Sequence, residues 1–287
     1  MNKFNLKPLK EDKRDILVGS LFSLPKLKDL PESFIISPSP IKQQAGTDYC
    51  YAFASCAVSE DQEGVVLDPL YTVFKTKQIE GNEDWGADIR DAASSHCKFG
   101  ALEQSMSPYT IDTPRATIMD KTSWTSLQDT NAFQHTKESY AQVTGPYDFF
   151  DNIRATIYYF RLEKRSVLMG LTWCAEWLNS PDGVIDHVGS QLGGHAIKIC
   201  GYTKRNGTMY LVGQLSSGEE VGAKGIFLFS REVINATGPI YGALTFLDYP
   251  KTQLKAHQDL GVKIDSAMIV KLIQLVLGLI IKYFKKQ

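Results

Sequence analysis

Residues 41–56, IKQQAGTDYCYAFASC, put a glutamine six positions ahead of a cysteine that opens an alanine-rich apolar run, and the histidine of GGHAIKICGY follows that cysteine by 145 residues. The run from Cys50 to Asp61 reads as a helix buried by the rest of the fold, because its first turns have no polar face to show to water. A thiol at the N-terminus of such a helix meets the positive end of the helix dipole, and an imidazole beside it would favour the thiolate further. His195 opens an apolar, strand-like stretch, Ala196–Tyr202, which would hold its ring rigidly against the sulfur. Read singly, each of these residues is ordinary core or loop; read together they suggest nucleophilic catalysis by cysteine and histidine.

Six segments in order, between Leu30 and Tyr249, resemble the papain-like cysteine peptidases, in particular their bacterial and viral branches. LPESF (Leu30–Phe34) is similar to the start of the mature domain, Ile41–Gln44 to the strip that carries an oxyanion-binding glutamine, and Cys50–Ala54 to the nucleophile segment. The single stretch from Leu67–Pro69 through Gly86–Ala92 to Lys98–Gly100 is similar to the second helical region and the cleft wall. Gly193–Ala196 and Gly222–Phe227 resemble the catalytic-histidine strand and the closing glycine-rich hairpin. The Cys50–His195 separation also falls within the about 130–150 residues expected for such enzymes. The resemblance implies an α+β fold of two lobes. Helices Cys50–Asp61, Pro69–Ile79 and Ile89–Phe99 would form the left lobe, with a turn at Asn82–Gly86. A short strand Tyr140–Val143 and a helix Phe149–Lys164 would follow, then antiparallel strands Ser166–Thr172, His195–Tyr202, Thr208–Gln214 and Gly225–Phe229. Residues 108–138, polar and rich in Thr, Ser and Asp, read as a long surface connection.

In this scheme Cys50 is the nucleophile, His195 the proton carrier and Gln44 an oxyanion donor beside the Cys50 N–H. Gly86, Ala87, Gly193 and Gly194 would line the cleft, where glycine lets an extended substrate backbone approach closely. Two departures qualify the match. Where the family carries the asparagine that orients the histidine, this chain has Leu215; the neighbouring Gln214 is the remaining candidate, although adjacent strand residues face opposite ways unless a bulge intervenes. Before the nucleophile, Thr47-Asp48-Tyr49 replaces the usual Cys-Gly-Ser, and Thr47 removes one half of a family disulfide. Two functions follow as expectations. One is a cysteine peptidase acting on peptide or isopeptide bonds. The other is a catalytically silent papain-like module serving a larger assembly, for example a viral particle.

Composition sets outer limits. A net charge of −1 gives no basic field for nucleic acid. The five cysteines, Cys50, Cys56, Cys97, Cys174 and Cys200, have no CxxC or metal-ligand spacing, so neither a zinc site nor any other cofactor is expected, and the thiols read as reduced. The first 15 residues lack the apolar core of a secretory signal, which suggests a cytoplasmic or particle-associated protein. The division expected is an N-terminal extension (1–29), a papain-like domain (30–250), and a linker with a C-terminal amphipathic helix (251–287). The 29 residues ahead of the expected domain are too few for the long helical propeptide of secreted members, so restraint on activity is expected from elsewhere. His96, His135, His187 and His257 read as surface residues. Residues 267–286 place Lys271, Gln274, Gly278, Lys282 and Lys285 on one narrow stripe of an otherwise apolar helix. Such a face calls for a homo-oligomer, an assembly partner or a membrane surface through residues 266–286. Only seven consecutive apolar residues, Leu275–Ile281, are free of Lys or Gln, against the ~18 of a spanning helix.

Overall fold

The computed structural model describes residues 4–82, 84–261, 263 and 264. The helix expected at 267–286 and its attachment surface lie outside the described residues. Helices α1 (Val18–Leu21), α2 (Cys50–Glu63), α3 (Pro69–Glu80), α4 (Ile89–Phe99), α5 (Arg115–Met119) and α6 (Ser126–Gln134) precede most of the strands. The remaining helices are α7 (Phe149–Tyr159), α8 (Arg231–Thr237) and α9 (Lys251–Asp259). Strands β1 (Phe34–Ile35), β2 (Ser139–Gln142), β3 (Val167–Cys174), β4 (Val184–Ile185), β5 (Gln191–Arg205), β6 (Thr208–Gln214), β7 (Ile226–Ser230) and β8 (Ala243–Leu247) form one sheet. Its order is β2-β8-β3-β5-β6-β7-β4, with β1 paired to β5; every pairing is antiparallel except β4 with β7.

Local chemistry explains the helix starts. Asp68 caps α3 by accepting the Leu70 N–H at 2.9 Å, with Pro69 in the first turn where no donor is missed. Asp88 caps α4 through the Asp91 N–H at 2.9 Å, and Asp148 caps α7 in the same way. α2 has no side-chain cap. Its stability comes from burial: Cys50 through Glu60 are all inside.

β5 is the long central strand, and its alternation divides the interior. Ala196 turns towards α2 and joins the core built around Cys50, Tyr51, Phe53 and Tyr71. Lys198, on the same face, reaches Asp61 near the end of α2. Ile197 and Ile199 turn the other way, into the sheet's own core with Trp173, Trp177, Phe227 and Phe229. A register shift near Cys200 lets β5 pair with β6 and with β1.

Four expectations need correction. Residues 108–138 are no plain connection: they contain α5 and α6, the latter started by a reciprocal Thr125–Gln128 capping box. Ile118, Trp124 and Ala132 carry this segment into the core, and three scattered apolar residues among polar ones give no helical periodicity to read. α7 stops at Tyr159, five residues short of Lys164, because a 3-10 turn at Arg161–Glu163 follows it. His96 is fully buried beside Ser55 Oγ, at 3.2 Å, and stacks obliquely near Phe246. His135 is held between Glu63 and Glu103, at 3.0 and 3.2 Å.

Candidate active site

Cys50 begins α2 and is completely enclosed. Burial pushes its thiol up to about 12, and the nearby Asp48 charge adds to the shift, while the Ala196 backbone N–H facing the sulfur works against it. Gln44 is buried as well. Its backbone N–H donates to Ser216 O at 2.8 Å, its Oε1 accepts the Ser216 hydroxyl at 2.6 Å, and its Nε2 donates to Thr47 O at 2.9 Å. An amide has two N–H bonds. With the oxygen fixed by Ser216 and one N–H on Thr47, a single N–H of Gln44 remains for an oxyanion.

His195 stands opposite Leu171 in the β3–β5 register. Its ring is 1% exposed and packs edge-on against Trp173 and Phe4, with centroids 5.3 and 5.5 Å away. Neither ring nitrogen has a hydrogen-bond partner among the described residues, so thiol and imidazole are not bonded to each other. Burial alone lowers its pKa to about 4, and the ring is neutral at pH 7. Gln214 does not orient it: the Gln214 amide donates to Ser39 O at 3.0 Å and Pro40 O at 3.4 Å, on the α2 side of β6. No bulge intervenes to turn that residue around. Leu215 is buried in the cluster that also holds Trp173 and Phe227.

What covers the imidazole is the chain's own N-terminus. Residues 4–9 run between the two lobes as an extended strap. Leu6 N–H donates to Gly194 O and Lys7 N–H to Ala87 O, each at 3.0 Å, and Leu9 N–H to Ile240 O at 3.0 Å. Asn5 forms a parallel bridge with Gly194. Gly86, Ala87, Gly193 and Gly194, the four cleft-lining candidates, therefore meet on the two sides of one extended backbone. Gly86 has φ +73°, and a Cβ there would lie 1.9 Å from Asn5 O; at Gly193, φ +144°, it would lie 2.3 Å from Phe4 O. These glycines leave room for a backbone, and the strap fills it. Leu6 is buried in the same core as Cys50, Ala87, Ala196, Tyr241 and Leu244. Lys7 adds an ion pair with Glu80 at 2.9 Å. Behind the strap, Ile16, Val18, Leu21 and Phe22 anchor the segment in a separate cluster with Phe160, Leu247 and Leu254. Arg90 ties it further through Asp15, at 2.5 and 3.1 Å, and Lys10 O at 2.7 Å. Residues 4–9 thus fill the groove between Gly86–Ala87 and Gly193–Gly194 as extended backbone.

Sequence reasoning missed this strap, although Phe4-Asn5-Leu6-Lys7 alternates apolar and polar as a strand does. It also missed Ser216, which sits at the residue after Leu215, and Asp48.

Comparison with known proteins agrees with this geometry. Residues 25–241 match the family described as papain family cysteine protease. The chain belongs to the papain family of cysteine proteases. Xylellain, a cysteine protease from Xylella fastidiosa, is 19% identical, with 86% of this chain and 97% of that one covered at a TM-score of 0.69. Procathepsin B S9 from Trypanosoma congolense is also 19% identical, covering 85% and 86% at 0.62. The bromelain protease from Ananas comosus, solved with the E64 inhibitor, is 19% identical and covers 76% and 99% at 0.58. These likenesses establish the two-lobed α+β fold. The comparison with curated protein sequences returns no match. Among the described residues no helix is long and apolar enough to cross a membrane, and no group of three or more His, Cys, Asp or Glu could hold a metal ion.

Proposed function

We propose that this protein is a papain-type cysteine peptidase whose cleft is kept closed by its own N-terminal strap, and that an extended peptide takes the strap's place during catalysis. The observation that carries this reading is the pair of backbone hydrogen bonds from Leu6 and Lys7 to Gly194 and Ala87, which an extended substrate would reproduce. Buried imidazole nitrogens without partners cost roughly 1–3 kcal/mol each. Such a cost is characteristic of a group kept for another state. One of the two rings against His195 is Phe4, which leaves with the strap, so that withdrawal gives the imidazole water and substrate in place of an aromatic wall. Cys50 would then attack a peptide carbonyl, His195 would carry the thiol proton to the leaving amine, and the Gln44 amide with the Cys50 N–H would bind the oxyanion. Water releases the acyl-enzyme.

Leu215 and the lack of a hydrogen-bond partner for His195 among the described residues favour a second reading, in which the module is silent and serves as a binding or structural part of an assembly. An epoxide thiol probe separates the two. Wild type, Phe4→Ala and Cys50→Ala are labelled near neutral pH; labelling that rises in Phe4→Ala and vanishes in Cys50→Ala supports the peptidase. A Phe4→Ala chain that neither labels at Cys50 nor cleaves extended fluorogenic peptides supports the silent module. Attachment to an assembly or membrane through residues 266–286 rests on their apolar pattern alone. Truncation after Asp265 with no change in oligomeric state and no loss of membrane association would refute it.

A further inference from the structure

The wall that meets the strap, Gly86–Ala87, lies on a loop between α3 and α4, where backbone at positive φ has little rigidity of its own. Its polar groups are nevertheless fixed from behind. Asp48 is fully buried, and its Oδ2 accepts the Gly86 N–H at 2.5 Å. The Gly86 carbonyl accepts from the ammonium of Lys77, itself buried and paired with Glu80 on the next turn of α3. The two peptide units that flank Gly86 are thus gripped in turn, the first by an anion at its N–H and the second by a cation at its C=O.

We propose that Asp48 is a positioning residue that fixes the substrate-binding wall to the nucleophile loop. Asp48 is two residues before Cys50, so the bond to Gly86 links the reacting sulfur and the Ala87 carbonyl through a short, rigid path. Thr47, next to it, stands where the family resemblance placed one half of a disulfide, and a charge-assisted hydrogen bond here provides a tie that needs no oxidant. Asp48 does this at some expense to the folded state. Burial raises its carboxyl above the ordinary range, even with Gly86 N–H, Arg115 and Lys77 acting against the shift, and among the described residues its buried Oδ1 has no hydrogen-bond partner. A residue kept only for stability would be better as asparagine or a small apolar side chain; a residue kept for geometry would not. The proposal rests on the peptidase reading for its purpose but not for its test.

Amide hydrogen exchange of the full-length chain is measured for wild type, Asp48→Asn and Asp48→Ala. The expected order of exchange at Gly86 and Lys7 is wild type, then Asp48→Asn, then Asp48→Ala, with a rise of about tenfold or more in the last, corresponding to one charge-assisted hydrogen bond. Val18–Leu21 should be unchanged, and the Tm of Asp48→Asn should equal or exceed that of wild type. If Asp48→Ala does not fold, Asp48→Asn decides alone, by a faster Gly86 amide at unchanged Val18–Leu21. Exchange at Gly86 and Lys7 equal to wild type in Asp48→Asn, or a uniform rise over the whole chain, overturns the proposal. In peptide hydrolysis the same Asn variant should raise KM with kcat nearly unchanged, since the wall binds substrate without touching the reacting atoms. Absence of hydrolysis in every variant would count against the peptidase reading and leave the exchange result to stand by itself.

Discussion

Replacing Leu6 with alanine should unlock the cleft without unfolding the protein. Leu6 is 4% exposed and lies in the core that includes Cys50, Tyr241 and Leu244. Truncating a buried leucine to alanine costs roughly 2–5 kcal/mol. The strap is a single extended segment on the edge of its core, able to relax into the space left, so the lower end of that range applies. About 2 kcal/mol raises the open fraction by about 30-fold. The two hydrogen bonds from Leu6 and Lys7 to the cleft walls remain possible in the closed state, so the change acts on packing alone. Cys50 is the reporter: iodoacetamide labelling, read residue by residue by mass spectrometry, follows the open fraction when closing is fast relative to alkylation. Cys56 and Cys200 are buried away from the strap and serve as internal references. Labelling of Cys50 should accelerate by about 30-fold while Cys56 and Cys200 stay slow. An unchanged Cys50 rate in a folded variant would refute the idea that the strap shields the thiol, and equal acceleration at all three sites would mean that Leu6 stabilises the whole fold rather than the closed cleft.

Three other outcomes are expected. Ser216→Ala removes the donor that fixes the Gln44 amide oxygen, so that in a strap-released chain kcat should fall on the order of tenfold with KM little changed; equal kcat would show that Gln44 is held by Thr47 alone. His195 has an ordinary pKa of 6.5 when unfolded and about 4 when folded, so between these values the unfolded chain takes up a proton that the folded chain refuses, and stability falls as pH drops through that window by roughly 3 kcal/mol. His195→Phe should flatten that part of the urea-denaturation profile, whereas an unchanged slope would place the effect on another group such as His96. Lys198→Met leaves the Asp61 carboxylate buried without its cation and should lower stability by roughly 3–5 kcal/mol, much of it recovered in the Lys198→Met, Asp61→Asn double variant; an additive double variant would refute the pairing.

The parts of this fold that were legible in the sequence are those whose signal is local or periodic. α3 and α4 announce themselves through Asp68-Pro69 and Asp88, and α4 runs over the expected Ile89–Phe99. β6 matches its expected Thr208–Gln214, and β5 contains the expected His195–Tyr202 within a longer strand. The long extension of β5 to Arg205 was hidden because Thr203, Lys204 and Arg205 break the apolar pattern while still pairing with β6. The strap was hidden for a different reason. Phe4, Leu6 and Leu9 are embedded among Lys3, Lys7 and Lys10, and nothing within ten residues reveals that Gly86 and Gly193, far along the chain, reserve a backbone-sized slot for them. The candidate site was legible as a set of positions and not as a set of environments. Cys50, Gln44 and the cleft glycines follow from motif spacing, but the environment of His195 depends on Trp173 and Phe4, which come from two other parts of the chain.

The ion pair between Lys198 and Asp61 gives this molecule a fixed frame for its chemistry. Both side chains are essentially unexposed, their atoms are 2.6 Å apart, and Ser39 adds a contact to Lys198 at 3.2 Å. Asp61 lies on the same helix as Cys50, and Lys198 on the same strand as His195. Separating the lobes would break this buried ion pair together with the Ser39 contact, so a hinge motion between them is opposed here. On the proposed peptidase reading, access to the sulfur is then a matter of one thin segment lifting off the groove. Scattering profiles of the closed and opened protein should be nearly superimposable even where their reactivity towards thiol reagents differs greatly.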